Sequence, residues 1–568
     1  MNPDSPAPLS EPKWHRWIGP LIFLVAFGFR LLGIGWGLPN ALHNQSYHPD
    51  EQVIWQFSQG IEPARLDFAP GVYNYGTLYL TTLRIASDMV AAYTGGIDPK
   101  NPDSVWDYMR RCHIAGRWIS ALCGAALAVV VFVTGRRFLS AFAATLAALA
   151  IAFAPSLVVH SRFQTTDMLA TLLFASSLGL SLKLLARTDN AWTKDAVRIC
   201  LLAGLLAGLS AGAKYTGILA LATLATSCFL TNRSGWWRPF LLAVGASLLG
   251  FFVATPGALV DSSRFLRDFM YEMMHTSTGH GLHFLGTSNG FVYHLSNIVV
   301  GLSPLIVGLG IIGLVGATRA RAYPIIALLP SFLLYFLLIG RAEVLFMRYT
   351  FPLYVALALG FGWFANQASR KSGRSILMGA VCVFAVGGAA TTAGRFSEPM
   401  VNPEARDLAA IYIKSESKGK DWTAGLVSDP WYYTPPLFKD TALIRGLFVE
   451  QMAEAAKVRE PKVVRYSPSN PEERVDWDLR LLDLKPELIV FSSFEAGDVA
   501  RLVKTNFSPV HPDAARFKEF LARLQTEYTE IGPGAIGDPL DRYFRDGLTV
   551  HDMHYVRPQI YLWKRKGL

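Results

Sequence analysis

Eleven apolar stretches occupy the chain up to residue 393, at roughly 17–38, 112–135, 141–160, 168–186, 198–213, 215–231, 239–256, 291–316, 322–340, 344–366 and 375–393. No other feature restricts the fold as much. Each reaches or approaches the ~20 residues a helix needs to cross the hydrocarbon core of a bilayer. Backbone inside lipid must satisfy its own hydrogen bonds, so each stretch is predicted to be a helix. A composition of 51% hydrophobic and only 17% charged residues agrees with a mainly α, polytopic membrane protein. The net charge of +10 could suggest nucleic acid as a partner. The basic residues sort otherwise: Lys13/Arg16, Arg136/Arg137, Lys183/Arg187/Lys194/Arg198, Arg233/Arg238, Arg319/Arg321 and Arg370/Lys371/Arg374 fall in alternate loops. That is positive-inside bias, and the nucleic-acid reading fails on it.

The same bias places residues 1–16, a polar Pro-rich tail expected to be disordered, in the cytoplasm. The segment from Trp17 is too long for a cleaved signal peptide and lacks a small-residue cleavage site. With an odd number of spans in residues 17–393, the part from 394 to 568 is expected outside, together with large loops at 39–111 and 257–290. The five cysteines (Cys112, Cys123, Cys200, Cys228 and Cys382) lie in or beside apolar segments and show neither metal-ligand nor disulfide spacing.

Residues 394–568 have mixed, soluble-type composition. Apolar runs at 423–427, 487–491 and 559–563 read as buried strands, and 516–528 as a helix with Phe517, Phe520, Leu521 and Leu524 on one face. An external α/β domain of about 175 residues follows, with no phosphate loop and no nucleophile elbow. In the first external loop, Tyr75, Leu78, Tyr79, Thr82, Ile85, Ala86 and Met89 recur at helical spacing. Such a helix lies along the membrane surface or packs on the protein.

Ser46-Tyr47-His48-Pro49-Asp50-Glu51 opens that loop. Proline followed by two acids is a helix start, and both acids would favour the helix dipole. Neighbouring helical residues point about 100° apart, so one acid facing a cavity could act as a general base while the other positions it or binds a ligand. Polar groups at membrane level are costly and hence functional suspects. They are Arg30, then Arg110, His113 and Arg117 on one face, Asp167 after the third span, Lys214 in a turn against the charge trend, and Arg348-Tyr349 at the start of the tenth span. Arg30, Arg110 and Arg117 have snorkelling or structural ion pairing as an equal alternative. The second loop carries His275, His280 and His283.

These motifs in order resemble the GT-C superfamily of membrane glycosyltransferases: the first-loop acids, an Arg opening the second span and Arg-x-x-x-x-Asp at 162–167. Gly-Leu-Ser-Ala-Gly-Ala-Lys-Tyr at 208–215 and Arg-Tyr-x-x-Pro at 348–352 complete the set. The resemblance is strongest to bacterial relatives of the protein O-mannosyltransferases and of the lipid A aminoarabinose transferase, over about residues 17–370. It implies a polyprenyl-phosphate-linked sugar as donor, an acceptor hydroxyl on a protein, lipid or glycan, and transfer with inversion on the external face of the cell inner membrane. It implies Asp50, Glu51 and Asp167 as catalytic residues, with Asp50 the base. Lys214, Arg348 and Arg117 would bind the donor phosphate, and His48, Tyr349, His280 and His283 would contact substrate. Some members of the superfamily need a divalent metal. The first loop here has no Asp-x-Asp, so the expectation is no cofactor, although the loop histidines could bind an ion. A ligase or polymerase using a diphosphate donor, and a transporter, are the competing classes; no internal repeat supports the transporter.

The charge alternation makes a direct prediction. Reporter fusions at Lys13 and Arg395 should report opposite sides of the membrane, and the same side for both would break the eleven-span topology.

Overall fold

The protein is described from a computed structural model, which covers residues 16–568 except 41–42, 44, 99, 102–103, 188–190, 369–374, 438–461, 467, 469, 532–549 and 557. The tail at 1–15 and the basic loop Arg370/Lys371/Arg374 lie outside the described residues.

All eleven apolar stretches contain helix. In chain order the helices up to residue 401 are α1 (Ile18–Leu31), α2 (Pro49–Gln59), α3 (Leu78–Thr94), α4 (Ser104–Gly135), α5 (Ala141–Ala152) and α6 (Pro155–His160). Next come α7 (Asp167–Leu185), α8 (Lys194–Ala211), α9 (Ala220–Thr231), α10 (Trp237–Ala254), α11 (Gly257–Val260) and α12 (Ser262–Thr278). The set closes with α13 (Gly290–Leu302), α14 (Pro304–Arg319), α15 (Tyr323–Gly340), α16 (Phe351–Ala368) and α17 (Ser375–Val401). Among the described residues, five helices are long and apolar enough to cross a membrane alone, or six if α13 and α14 count as one span. The expected single span at 291–316 is bent. It breaks by 110° between α13 and α14, because Ser303 sits at φ 95 and the following proline disfavours helical backbone at that residue. Helix α1, with 14 residues, and α5, with 12, are shorter than a full span.

Packing follows membrane rules. Helix α10 turns Leu241, Leu242, Leu248, Leu249 and Val253 outward and buries Ala243, Ser247 and Gly250. That small-residue face meets Gly204 and Gly208 of α8, where an added Cβ would overlap the carbonyls of Ala243 and Ser247. Small-xxx-small spacing allows this close approach of two backbones. Helix α3 forms where the periodicity places it, but its buried face is Tyr79, Leu80, Leu83 and Ser87, while Ile85 and Met89 are exposed. Helix α3 thus packs on the protein with one face and leaves a second apolar side uncovered.

After α17 come α18 (Ala405–Ser417) and a five-stranded mixed sheet of order β2-β1-β3-β5-β4. Its strands are β1 (Thr423–Leu426), β2 (Lys462–Val464), β3 (Leu488–Ser492), β4 (Tyr528–Glu530) and β5 (Ile560–Arg565). Strand β1 runs parallel to β2 and β3, whereas β5 is antiparallel to β3 and β4. Helices α19 (Ser493–Lys504) and α20 (Pro512–Glu527) complete this part. Ile489 and Phe491 of β3 face Phe517, Phe520 and Leu524 of α20, and Leu488 and Val490 fill the other side with Leu426 and Ile413. A strand buried on both faces explains the unbroken apolar run at 488–491.

Candidate functional site

The site forms where the ends of α4, α7 and α8 meet α2 and the turn before α16. Helix α2 starts at Pro49 and is capped by His48, whose Nδ1 accepts from the Asp50 backbone N–H at 3.3 Å. The two acids after the proline diverge as the helical geometry requires. Glu51 points into the protein and is fully buried against Arg117. Its Oε1 accepts from Arg117 Nε at 2.8 Å and from the Gln164 backbone at 2.7 Å; its Oε2 accepts from Arg117 Nη2 at 2.7 Å and from the Ser46 hydroxyl. The Gln164 side chain also donates to the Glu51 carbonyl at 2.9 Å. Burial alone would raise the Glu51 carboxyl, but Arg117 outweighs it and pulls it down to about 2.

Arg117 is as fully engaged as Glu51. Arg117 Nη1 donates to the carbonyls of Ile34 and Trp36 at 2.7 and 2.6 Å, and its other nitrogens are taken by Glu51 and Ser46. No donor of Arg117 remains for a phosphate. Together they bind α2, α4, the end of the first apolar segment and the 160–167 turn into one unit. Arg30 is likewise structural, donating to Ser161 Oγ at 3.1 Å and to the carbonyls of Ala26 and Ala152, and Arg110 pairs with Asp107 at the surface.

Asp50 points the other way, is partly exposed, and pairs with Arg348 Nη2 at 3.1 Å. Arg348 lies in the tight turn Met347–Thr350 before α16, with its guanidinium over the Phe346 ring at 4.1 Å. Its Nη1 is buried without a hydrogen-bond partner among the described residues. Asp167 opens α7 and accepts from Lys214 Nζ at 2.6 Å, and Lys214 also sits 4.4 Å above the Tyr349 ring. Lys214 is thus largely enclosed, not an exposed turn cation. Asp167, Lys214 and Arg348 line one cavity with Thr171, Ser210 and Tyr335.

The histidines take other positions. His48 packs between Phe163 and Tyr555 at 4.3 and 4.9 Å between ring centres. Burial holds its imidazole down at about 4. His283 bonds Asp498 of α19 at 2.7 Å, and His280 bonds His275 at 3.1 Å and stands edge-on to Phe346. Among the described residues no three His, Cys, Asp or Glu side chains converge as metal ligands. Asp50 faces Arg348 and Asp167 faces Lys214. Sequence reasoning missed the segment His551–Val556. It enters the site from the far end of the chain, with Asp552 accepting from the Met347 and Arg348 backbones and Tyr555 beside the Arg348 side chain. No motif signals it.

With this geometry in view, the likenesses to known proteins are informative. The chain has the fold of the GT-C membrane glycosyltransferases. ArnT from Cupriavidus metallidurans, solved bound to undecaprenyl phosphate, is 18% identical over 71% of this chain and 72% of that one, with a TM-score of 0.50. The archaeal oligosaccharyltransferase AglB from Archaeoglobus fulgidus, solved with an inhibitory peptide and a dolichol-phosphate, is 12% identical over 92% of this chain and 73% of that one, with a TM-score of 0.52. The Archaeoglobus fulgidus oligosaccharyltransferase complex with zinc and sulfate is 14% identical over 70% of this chain, at a TM-score of 0.45; the chain spans 55% of its length. The family described as dolichyl-phosphate-mannose-protein mannosyltransferase matches residues 112–259, a segment that contains Arg117, Asp167 and Lys214. No curated protein matches the chain.

The buried pair carries a stability prediction. Glu51→Gln and Arg117→Leu should each cost about 3–5 kcal/mol, because each leaves its partner buried and uncompensated. The double variant should cost far less than their sum. Glu51 titrates near 2 when folded against 4.5 unfolded, so its contribution is full above about pH 4.5 and lost as pH falls towards 2. His48 adds a loss between 6.5 and about 4, since it must charge on unfolding. Thermal unfolding in detergent across this range checks both, and additive single-variant costs would contradict the coupling.

Proposed function

We propose that the protein is an inverting glycosyltransferase that moves a sugar from a polyprenyl-phosphate donor to an acceptor hydroxyl at the external face of the cell inner membrane. One observation supports this reading most. Two cations, Arg348 and Lys214, are held by separate carboxylates around one cavity, and Arg348 keeps a buried N–H without a partner among the described residues.

Negative charge develops on a lipid phosphate as it leaves, and donors fixed in a largely water-excluded cleft stabilise it. Arg348 offers a planar fork and Lys214 a point charge, aimed by Asp167. A phosphate bound by Arg348 competes with Asp50 for its N–H groups and frees the Asp50 carboxylate. Asp50, on the first turn of α2, then takes the proton of the acceptor hydroxyl as that oxygen attacks the anomeric carbon. The bond between that carbon and the phosphate oxygen breaks, and its electron pair leaves with the phosphate. One base and one displacement invert the anomeric centre, unlike the two-carboxylate retaining scheme. Glu51 takes no proton in this scheme; with Arg117 it fixes the helix that presents Asp50. Tyr349 packs beneath Lys214, and His280 borders the turn that carries Arg348. The acceptor is a protein, lipid or glycan, and the membrane supplies the donor. No step passes through a metal.

Asp50→Asn keeps size and hydrogen-bonding reach but cannot accept the proton. Turnover should fall on the order of 10²–10⁴ while donor KM does not rise, since the neutral amide competes less with the phosphate for Arg348. Near-normal turnover in folded, purified Asp50→Asn protein would remove Asp50 as the base.

A further inference from the structure

The turn Met347–Thr350 starts without a cap of its own. The residue at its N-terminal boundary is Phe346, which offers no side-chain hydrogen bond. The first N–H groups of a helical segment have no partner within it and need an acceptor from elsewhere. Asp552 supplies one from some two hundred residues further along the chain. Its Oδ1 accepts from the Met347 N–H at 2.9 Å and its Oδ2 from the Arg348 N–H at 3.2 Å. The side chain is fully buried, and Oδ2 stands 3.7 Å from His160 Nε2. Three residues on, Tyr555 lies beside the Arg348 side chain. One short segment thus holds the backbone of Arg348 and also touches its guanidinium.

We infer that Asp552 is a positioning residue of the transfer site: by capping the Met347–Thr350 turn from the C-terminal part, it sets where the Arg348 guanidinium meets the donor phosphate. The inference rests on the glycosyl-transfer reading above. A purely structural role would differ from it. Docking of the C-terminal part is served separately by Arg501 of α19, which donates to the carbonyls of Leu282, His283 and Leu285 in the second external loop. If Asp552 only helped this docking, its loss would resemble that of Arg501 and would not single out Arg348.

The test uses the full-length protein in nanodiscs and undecaprenyl phosphate as the probe, with undecaprenol as the uncharged comparison. Asp552→Asn retains the size of the side chain but turns an N–H donor towards a backbone N–H. It should weaken undecaprenyl-phosphate binding about tenfold, the scale of one hydrogen bond serving a charged group. Tyr555→Phe, which removes only the hydroxyl, should weaken it several-fold and guards against misfolding of the first variant. In an Arg348→Ala background neither change should add more than about twofold, and Arg501→Gln should leave binding within about twofold of the wild type. Wild-type affinity in folded Asp552→Asn and Tyr555→Phe would overturn the inference, as would losses of undiminished size in the Arg348→Ala background. A wild-type protein that binds undecaprenol as well as undecaprenyl phosphate would instead overturn the donor reading itself, and this inference with it.

Discussion

Everything at the site depends on one buried ion pair. Glu51 and Arg117 are both fully enclosed and joined by two nitrogen–oxygen contacts. The remaining donors and acceptors are closed by Ser46, Gln164 and the carbonyls of Ile34 and Trp36. Two charges taken out of water cost several kcal/mol each, and only good geometry with complete hydrogen bonding offsets that cost. Here it is complete. In consequence the start of α2, α4 and the turn before α7 are tied together, and Asp50, next in the chain to Glu51, stands at the edge of that unit.

The cavity beside that body is built on a different principle. The charges in and beside it are paired one to one, Asp50 with Arg348 and Asp167 with Lys214, yet the pairs are single contacts, not closed networks. Pairs of this kind contribute modestly to stability, and well-packed apolar side chains would often serve stability as well. What they retain is exchangeability. In the proposed reaction an arriving phosphate takes over the cations while the acids remain near them, which apolar residues could not offer. On the proposed reading, the contrast between a saturated pair and two open ones separates scaffold from working parts within a few residues of α2.

Much of this was legible in the sequence. Apolar length and the alternation of basic loops were enough to expect a helical bundle, and the structure gathers residues around positions 50, 167, 214 and 348 at one end of it. The helix start at Pro49 and the divergence of its two acids follow from local geometry alone. Other features required the fold. Arg117 and Arg348 look alike as membrane-level arginines; only counting which N–H groups are taken tells them apart. The break at Ser303 was written in Pro304, but averaging hydropathy over a window conceals a bend. Helix α3 carries two apolar faces, and periodicity does not say which meets protein and which stays uncovered. Asp552 stands in no motif, because a cap supplied from a distant segment leaves no pattern near the turn that it caps.

The central claim is that the paired cations receive a leaving lipid phosphate while a single base drives inversion. Incubating the purified protein with a panel of labelled polyprenyl-phosphate sugars, and determining both the lipid product and the anomeric configuration of the transferred sugar, tests it most directly. The account predicts release of polyprenyl phosphate and a product of opposite configuration to the donor. Retained configuration, or turnover confined to diphosphate-linked donors, would contradict it.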